Sequence, residues 1–285
     1  MSMRVVLGLM LALIAIVAPR AARADEVAPE LEGADLRLMA QHELKKLVAQ
    51  LPANDQKRLT GIYVAFDPSP SDPIAQVACD DDGDYVVLLS DAMLRLVAHV
   101  ARAESYDEAN SSRKVEDYAA FLVRTQVPGR RLLPPPPGFY TAAKPAGSYD
   151  ERLSDALSFV VARELTHFRA GDHVCPRPTP TKESGDDTWT TAEQRKANEI
   201  AQSVYPGRHE RDGEATVRVL DAGRTERGAL ALLRFFTQFE AERVVAVGRF
   251  SPTYLAQHPG AVLRAATVKR TSDAHNSSSS DKTTD

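Results

Sequence analysis

Apolar positions recur every three or four residues from Leu36 to Leu51, which predicts a helix with one buried face. The rhythm then shortens. Gly61 to Phe66 is a β-branched and aromatic run that reads as a strand. Ile74 to Cys79 and Tyr85 to Leu89 flank Asp80-Asp81-Asp82-Gly83-Asp84, the pattern of a hairpin around a polar turn. Helical spacing returns at Asp91 and runs to about Ala103, offering Ala92, Leu94, Leu96, Val97 and Val100 to a core. A further helix is predicted from Val115 to Arg124. The segment Gln126 to Ser148 holds Pro134-Pro135-Pro136-Pro137-Gly138, which neither a helix nor a central strand tolerates, so it reads as a surface loop or lid.

The strongest helical pattern runs from Tyr149 to Arg169, with Leu153, Leu157, Val160, Val161, Leu165 and Phe168 on its apolar face. Thr190 or Thr191 can cap a helix through Tyr205, which Pro206-Gly207 ends. Helices from His209 to Ala222 and from Thr225 to Val247 follow, and Pro259 opens a last one. Residues 271–285 are mostly Ser, Thr, Asp, Lys and Asn and are expected to be a disordered tail. The fold class is α+β, a small mixed or antiparallel sheet followed by a mainly helical half. An N-terminal helical segment, 25–60, precedes a main domain, 61–270, that contains the irregular loop 126–148.

The first 24 residues follow the pattern of a signal peptide: Arg4, the apolar stretch Val5 to Val17, then Ala22-Arg23-Ala24 before Asp25. The apolar core is shorter than the ~20 residues that span a bilayer, so a cleaved segment is preferred to a membrane anchor. The mature protein is therefore expected in the periplasm or secreted, with no stable membrane anchor. A net charge of −4 gives no reason to expect nucleic acid as a partner. Export also changes the meaning of the only two cysteines, Cys79 and Cys175. An even count favours a disulfide over two buried thiols, because Cys79 ends a strand and Cys175 follows the Tyr149–Arg169 helix.

That helix also carries candidate chemistry. In a HExxH helix, residues four apart share a face, so two imidazoles grip one Zn²⁺ while the Glu acts as general base on its water. Here the sequence is Arg163-Glu164-Leu165-Thr166-His167: the Glu and second His are present, and the first ligand position holds Arg163. A guanidinium has no lone pair to give a metal. Structural roles compete with the catalytic ones: Glu164 as a salt-bridge partner, His167 as a core-edge histidine, and Arg163 turned inward onto a carboxylate such as Glu199. His42-Glu43-Leu44-Lys45-Lys46 imitates half the motif and reads as an exposed helix face, and His173 is a weaker substitute ligand beyond the helix end.

Four pieces together resemble the gluzincin metallopeptidases of family 48, the CaaX prenyl protease and HtpX-like group, over Gly61 to Arg270. Ile74–Ala78 and Tyr85–Ser90 with Met93-Leu94 resemble the family's edge strand and following helix. Arg163–His167 stands where HExxH belongs, and Gly171 with Cys175 fits the continuation of some exported members. Asn198-Glu199-Ile200-Ala201 resembles the helix that supplies the third ligand through ExxAD, and Gln257-His258-Pro259 through Arg264 resembles the family's closing motif. The resemblance implies a zincin-like fold, Glu164 as catalytic base, and His167 and Glu199 as metal ligands, with Glu210 the alternative third ligand.

The departures fall on chemistry. Arg163 replaces a ligand, Gln202-Ser203 replaces the Ala-Asp of ExxAD, and Asp72-Pro73-Ile74 stands where the edge strand has Asn. The expectation is a pseudopeptidase with an impaired zinc site that binds a peptide or protein in the old cleft. The alternative is an active zinc metalloendopeptidase with an altered ligand set, hydrolysing peptides or envelope proteins. The cofactor is zinc if the site works, and none otherwise.

Overall fold

The computed structural model describes residues 31, 33–68, 71–80, 83–141, 147–171, 175, 209–245, 252–257 and 260–281. The signal segment 1–24, the expected helix from Thr190 to Tyr205, His173 and Glu199 lie outside the described residues, as does the side chain of Glu210.

The architecture is α+β and mainly helical. Helix α1 (Gly33–Ala49) buries Leu36, Ala40, Leu44 and Leu47, the predicted face, and a short helix α2 (Ala53–Arg58) follows Pro52. Strands β1 (Tyr63–Asp67), β2 (Ala75–Cys79) and β3 (Tyr85–Ser90) form a sheet of order β1-β3-β2. β1 runs parallel to β3 and β2 antiparallel to it, with Val77 opposite Val87. Asp80 makes the hairpin turn by accepting the backbone N–H of Asp84 at 2.8 Å, and Gly83 supplies the positive φ of 77°.

Helix α3 (Asp91–Asn110) starts directly at the end of β3, where the Ser90 hydroxyl caps it by accepting from Met93 N. It outruns its sequence signal by about two turns. The extra length is fastened by Asp107, whose carboxylate takes the backbone N–H of Lys114 and Val115 and so starts helix α4 (Lys114–Thr125). The Pro-rich segment is irregular as expected but tied down. Tyr118 donates to the Leu133 carbonyl at 2.7 Å, the Gln126 side chain bonds Arg130 O and Leu133 N, and Leu132 is buried.

Helix α5 (Tyr149–Arg169) lies at the centre, against α1, α3, β2, α6 (His209–Asp221) and α7 (Arg227–Val245). From Asp155 to Phe168 it is buried on every side, polar residues included, so those polar groups must find partners inside. Glu43 of α1 serves one of them. It is buried, accepts from the Ser158 hydroxyl and pairs with Arg224, which corrects the reading of His42–Lys46 as an exposed face. Only His42 and Lys45 in that stretch are exposed.

Helices α8 (Thr253–Gln257) and α9 (Ala261–Asp281) close the described chain. Asp72 fixes α8 by accepting from Thr253 N, and Glu240 fixes the start of α9 by accepting from Gly260 N and Ala261 N. The expected disordered tail, 271–285, is instead helical through Asp281. Once α9 is started and packed through Val268 and Ser272 against its neighbours, adding polar residues to it costs little, so composition alone misplaces its end.

Candidate functional site

α5 carries Arg163, Glu164 and His167 into the interior beneath β2. Arg163 is wholly buried and donates through Nε to Asp212 Oδ1 on α6 at 2.8 Å. Arg264 of α9 reaches the same carboxylate from the other side, Nε to Oδ2 and Nη2 to Oδ1, both at 2.9 Å. Its Nη2 also meets the Tyr254 hydroxyl at 3.3 Å. One carboxylate therefore joins three helices through two guanidiniums. Burial works against the charged form of Asp212, but the hydrogen bonds and charges of Arg264 and Arg163 outweigh it and hold the carboxyl below the usual carboxylate range.

Arg163 Nη1 lies 3.1 Å from His167 Nε2. A guanidinium only donates, so Nε2 accepts at this contact and the ring carries its proton on Nδ1. The lone pair that would face a metal is thus spent on the arginine four residues earlier.

Glu164 points the other way, to the strand. Backbone bonds from Ser90 N to Ile74 O and from Asp80 N to Asp84 O mark 74/90 and 80/84 as hydrogen-bonded pairs. Alternation along the ladder leaves Val77 facing the outer edge of β2. Its N–H donates to Glu164 Oε2 at 3.1 Å. Burial pushes the Glu164 carboxyl up to about 8, although Arg163, the Val77 N–H and Arg264 each pull it down.

The residues picked out in the sequence are therefore partly united. Arg163, Glu164 and His167 share the interior, and the inward turn of Arg163 onto a carboxylate occurs with Asp212 as the partner. Sequence reasoning missed Asp212. The signal was present, since Asp212-Gly213-Glu214-Ala215 sets an acid three residues before an alanine, the spacing sought in ExxAD. In the sequence Arg264 stands only as the end of a closing motif. Comparison with protein-family models, curated proteins and solved structures finds no match.

Among the described residues, the donor set does not fit zinc. His167 Nε2 and the Asp212 carboxylate are both engaged by Arg163, and among the described residues no three His, Cys, Asp or Glu side chains converge as a metal group. The cluster is buried throughout, with His167 the most exposed member at 2%. Beside it, Cys79 at the end of β2 is bridged to Cys175, Cα to Cα 5.6 Å, which pins the chain beyond α5 to the strand.

Proposed function

We propose that this chain is an exported, zincin-like pseudopeptidase, related in design to the family 48 metallopeptidases, that binds a peptide or protein segment and does not cut it. The observation that carries the reading is Arg163, which occupies the first ligand position and is fastened to Asp212 and to His167 Nε2. A catalytic zinc site needs three protein ligands and an open position. Here a permanent cation stands among the ligands, and it would repel a divalent ion by about 8 kcal/mol, twice the ~4 kcal/mol for unit charges ~4 Å apart at an effective dielectric near 20. Glu164 is equally ill placed as a base, because it is buried, favours its protonated form and holds Val77 N–H.

Binding is the activity left to such a fold, and extended segments add to edge strands. β2 is an edge of the described sheet, but all five of its residues are buried and α5 packs against it, so a segment can add there only if that contact opens. A segment added there must displace Glu164 from Val77, and its other contacts must outweigh that bond.

Elemental analysis of the purified chain tests the reading. Zinc should be well below one per chain, with no chelator-sensitive hydrolysis of peptides. Arg163→His removes the cation and restores imidazoles at i and i+4 beside Asp212, so zinc uptake should rise. Adding Asp212→Asn should lower it again, whereas Glu210→Gln should leave it unchanged; Glu199→Gln in the same background tests the other acid. Stoichiometric zinc in the unmutated chain, lost in His167→Ala, with hydrolysis abolished by Glu164→Gln, would establish the active enzyme instead.

A further inference from the structure

The Pro-rich connection that follows α4 has two different sides. Leu133, Pro134, Pro135 and Pro136 each precede a proline, which keeps them out of the helical region, and each proline fixes its own φ, so Leu133 to Pro137 is a polyproline II run. A tight turn ends it, with Phe139 N donating to Pro136 O at 3.0 Å and Gly138 taking a positive φ of 77°.

Polyproline II repeats every three residues, so side chains three apart share an edge. Burial follows that period from Arg131 to Pro137. Leu132 is buried and Pro135 half-buried, which marks 132 and 135 as the inward edge. Arg131, Pro134 and Pro137 are all exposed and form the outward edge, with Leu133 and Pro136 half-buried between the two. The run is also held in place. The Gln126 side chain donates to the Arg130 carbonyl at 2.8 Å and accepts from Leu133 N at 2.9 Å, and the Tyr118 hydroxyl donates to the Leu133 carbonyl at 2.7 Å. Among the described residues the Arg131 guanidinium makes no hydrogen bond or ion pair, so its charge is open to a partner.

A rigid connector would need the prolines but not this sorting of positions. Prolines three apart on one exposed edge fit between aromatic rings, and a run that is already ordered loses little entropy on binding. Arg131, three residues before Pro134, adds a charge at one end, which fixes the direction in which the run is read and calls for a carboxylate beside the rings.

We infer that Arg131 to Pro137 is a docking surface for a partner protein that reads polyproline II through an aromatic-lined groove with an acidic end. The inference goes beyond the pseudopeptidase reading and does not depend on it, because neither β2 nor the Arg163 cluster takes part.

Titration of the full chain with a purified SH3 domain, of the kind that binds Arg-x-x-Pro-x-x-Pro segments, tests it. The expected result is one-to-one binding that Arg131→Glu and Pro134→Ala each weaken about tenfold or more, as for contact residues at the centre of an interface. Pro135→Ala, on the inward edge, should leave the affinity within about twofold. Arg131 and Pro134 are exposed, so both variants should keep the thermal transition of the unmutated chain, which separates lost binding from lost fold. No binding, binding that Arg131→Glu and Pro134→Ala leave intact, or an equal loss in Pro135→Ala would each overturn the docking surface and make the segment a connector only, with the pseudopeptidase reading untouched.

Discussion

Glu164 gives the residue scale its clearest consequence. Its carboxyl titrates near 8 in the folded chain and near the ordinary 4.5 when unfolded, because burial disfavours the charge. The folded state therefore holds one more proton between those values. Its contribution to stability is fully present below about pH 4.5 and is lost as pH rises through about 8, with a slope of up to ~1.4 kcal/mol per pH unit. Asp212 acts in the opposite sense and at lower pH, since its carboxyl is held below 3.8 and its contribution disappears only in stronger acid. Below about pH 6.5 the fall due to Glu164 is offset by His99, which burial holds neutral down to about 3 and whose contribution rises with pH. Urea unfolding should therefore show stability falling from pH 7 to 8, and Glu164→Gln should flatten that fall while keeping an acceptor for Val77 N–H. An unchanged slope in the variant would assign the effect elsewhere. Arg163, Glu164 and His167 were legible in the sequence because helix periodicity fixes which residues share a turn. Their partner Asp212 was not, because spacing within one helix carries no information about which distant acid a buried arginine will meet.

At the scale of elements, the joints between helices matter more than their lengths. α7 crosses α5 so closely at Gly228 that a Cβ there would overlap the backbone of Asp155 and Ala156. The contact is reinforced by Asp155, which accepts from Thr225 N and bonds its hydroxyl just before α7 begins. Gly228→Ala is therefore expected to destabilise by at least ~1–3 kcal/mol, the cost of overpacking, despite alanine's better helix propensity. Thermal unfolding measures this, and a neutral or stabilising result would mean that α5 and α7 sit farther apart. The strands, α5 and the polar turn were readable because each has a period or a breaker of its own. The ends of α3 and α9 were not, since Asp107 and tertiary packing set them, and both escape a reading of local composition.

For the whole molecule, the disulfide is the longest covalent link between the sheet and the segment after α5. Cys79 and Cys175 are 96 residues apart, and in the chain-entropy account closing a loop of that size stabilises the fold by about 4–5 kcal/mol. This pairing was readable from the even cysteine count and the order of elements. The cluster around Asp212 adds noncovalent ties among α5, α6 and α9 in the same region, so the covalent and ionic links hold neighbouring parts of one core. The double variant Cys79→Ala/Cys175→Ala should therefore lose about 3–5 kcal/mol in denaturant titration yet retain the helical signal of the native fold. Dithiothreitol should weaken the unmutated chain by a similar amount and leave the double variant unaffected. If the reductant shifts both proteins equally, or shifts neither while the variant is destabilised, the stability belongs to packing around the two sulfurs and not to the bond that joins them.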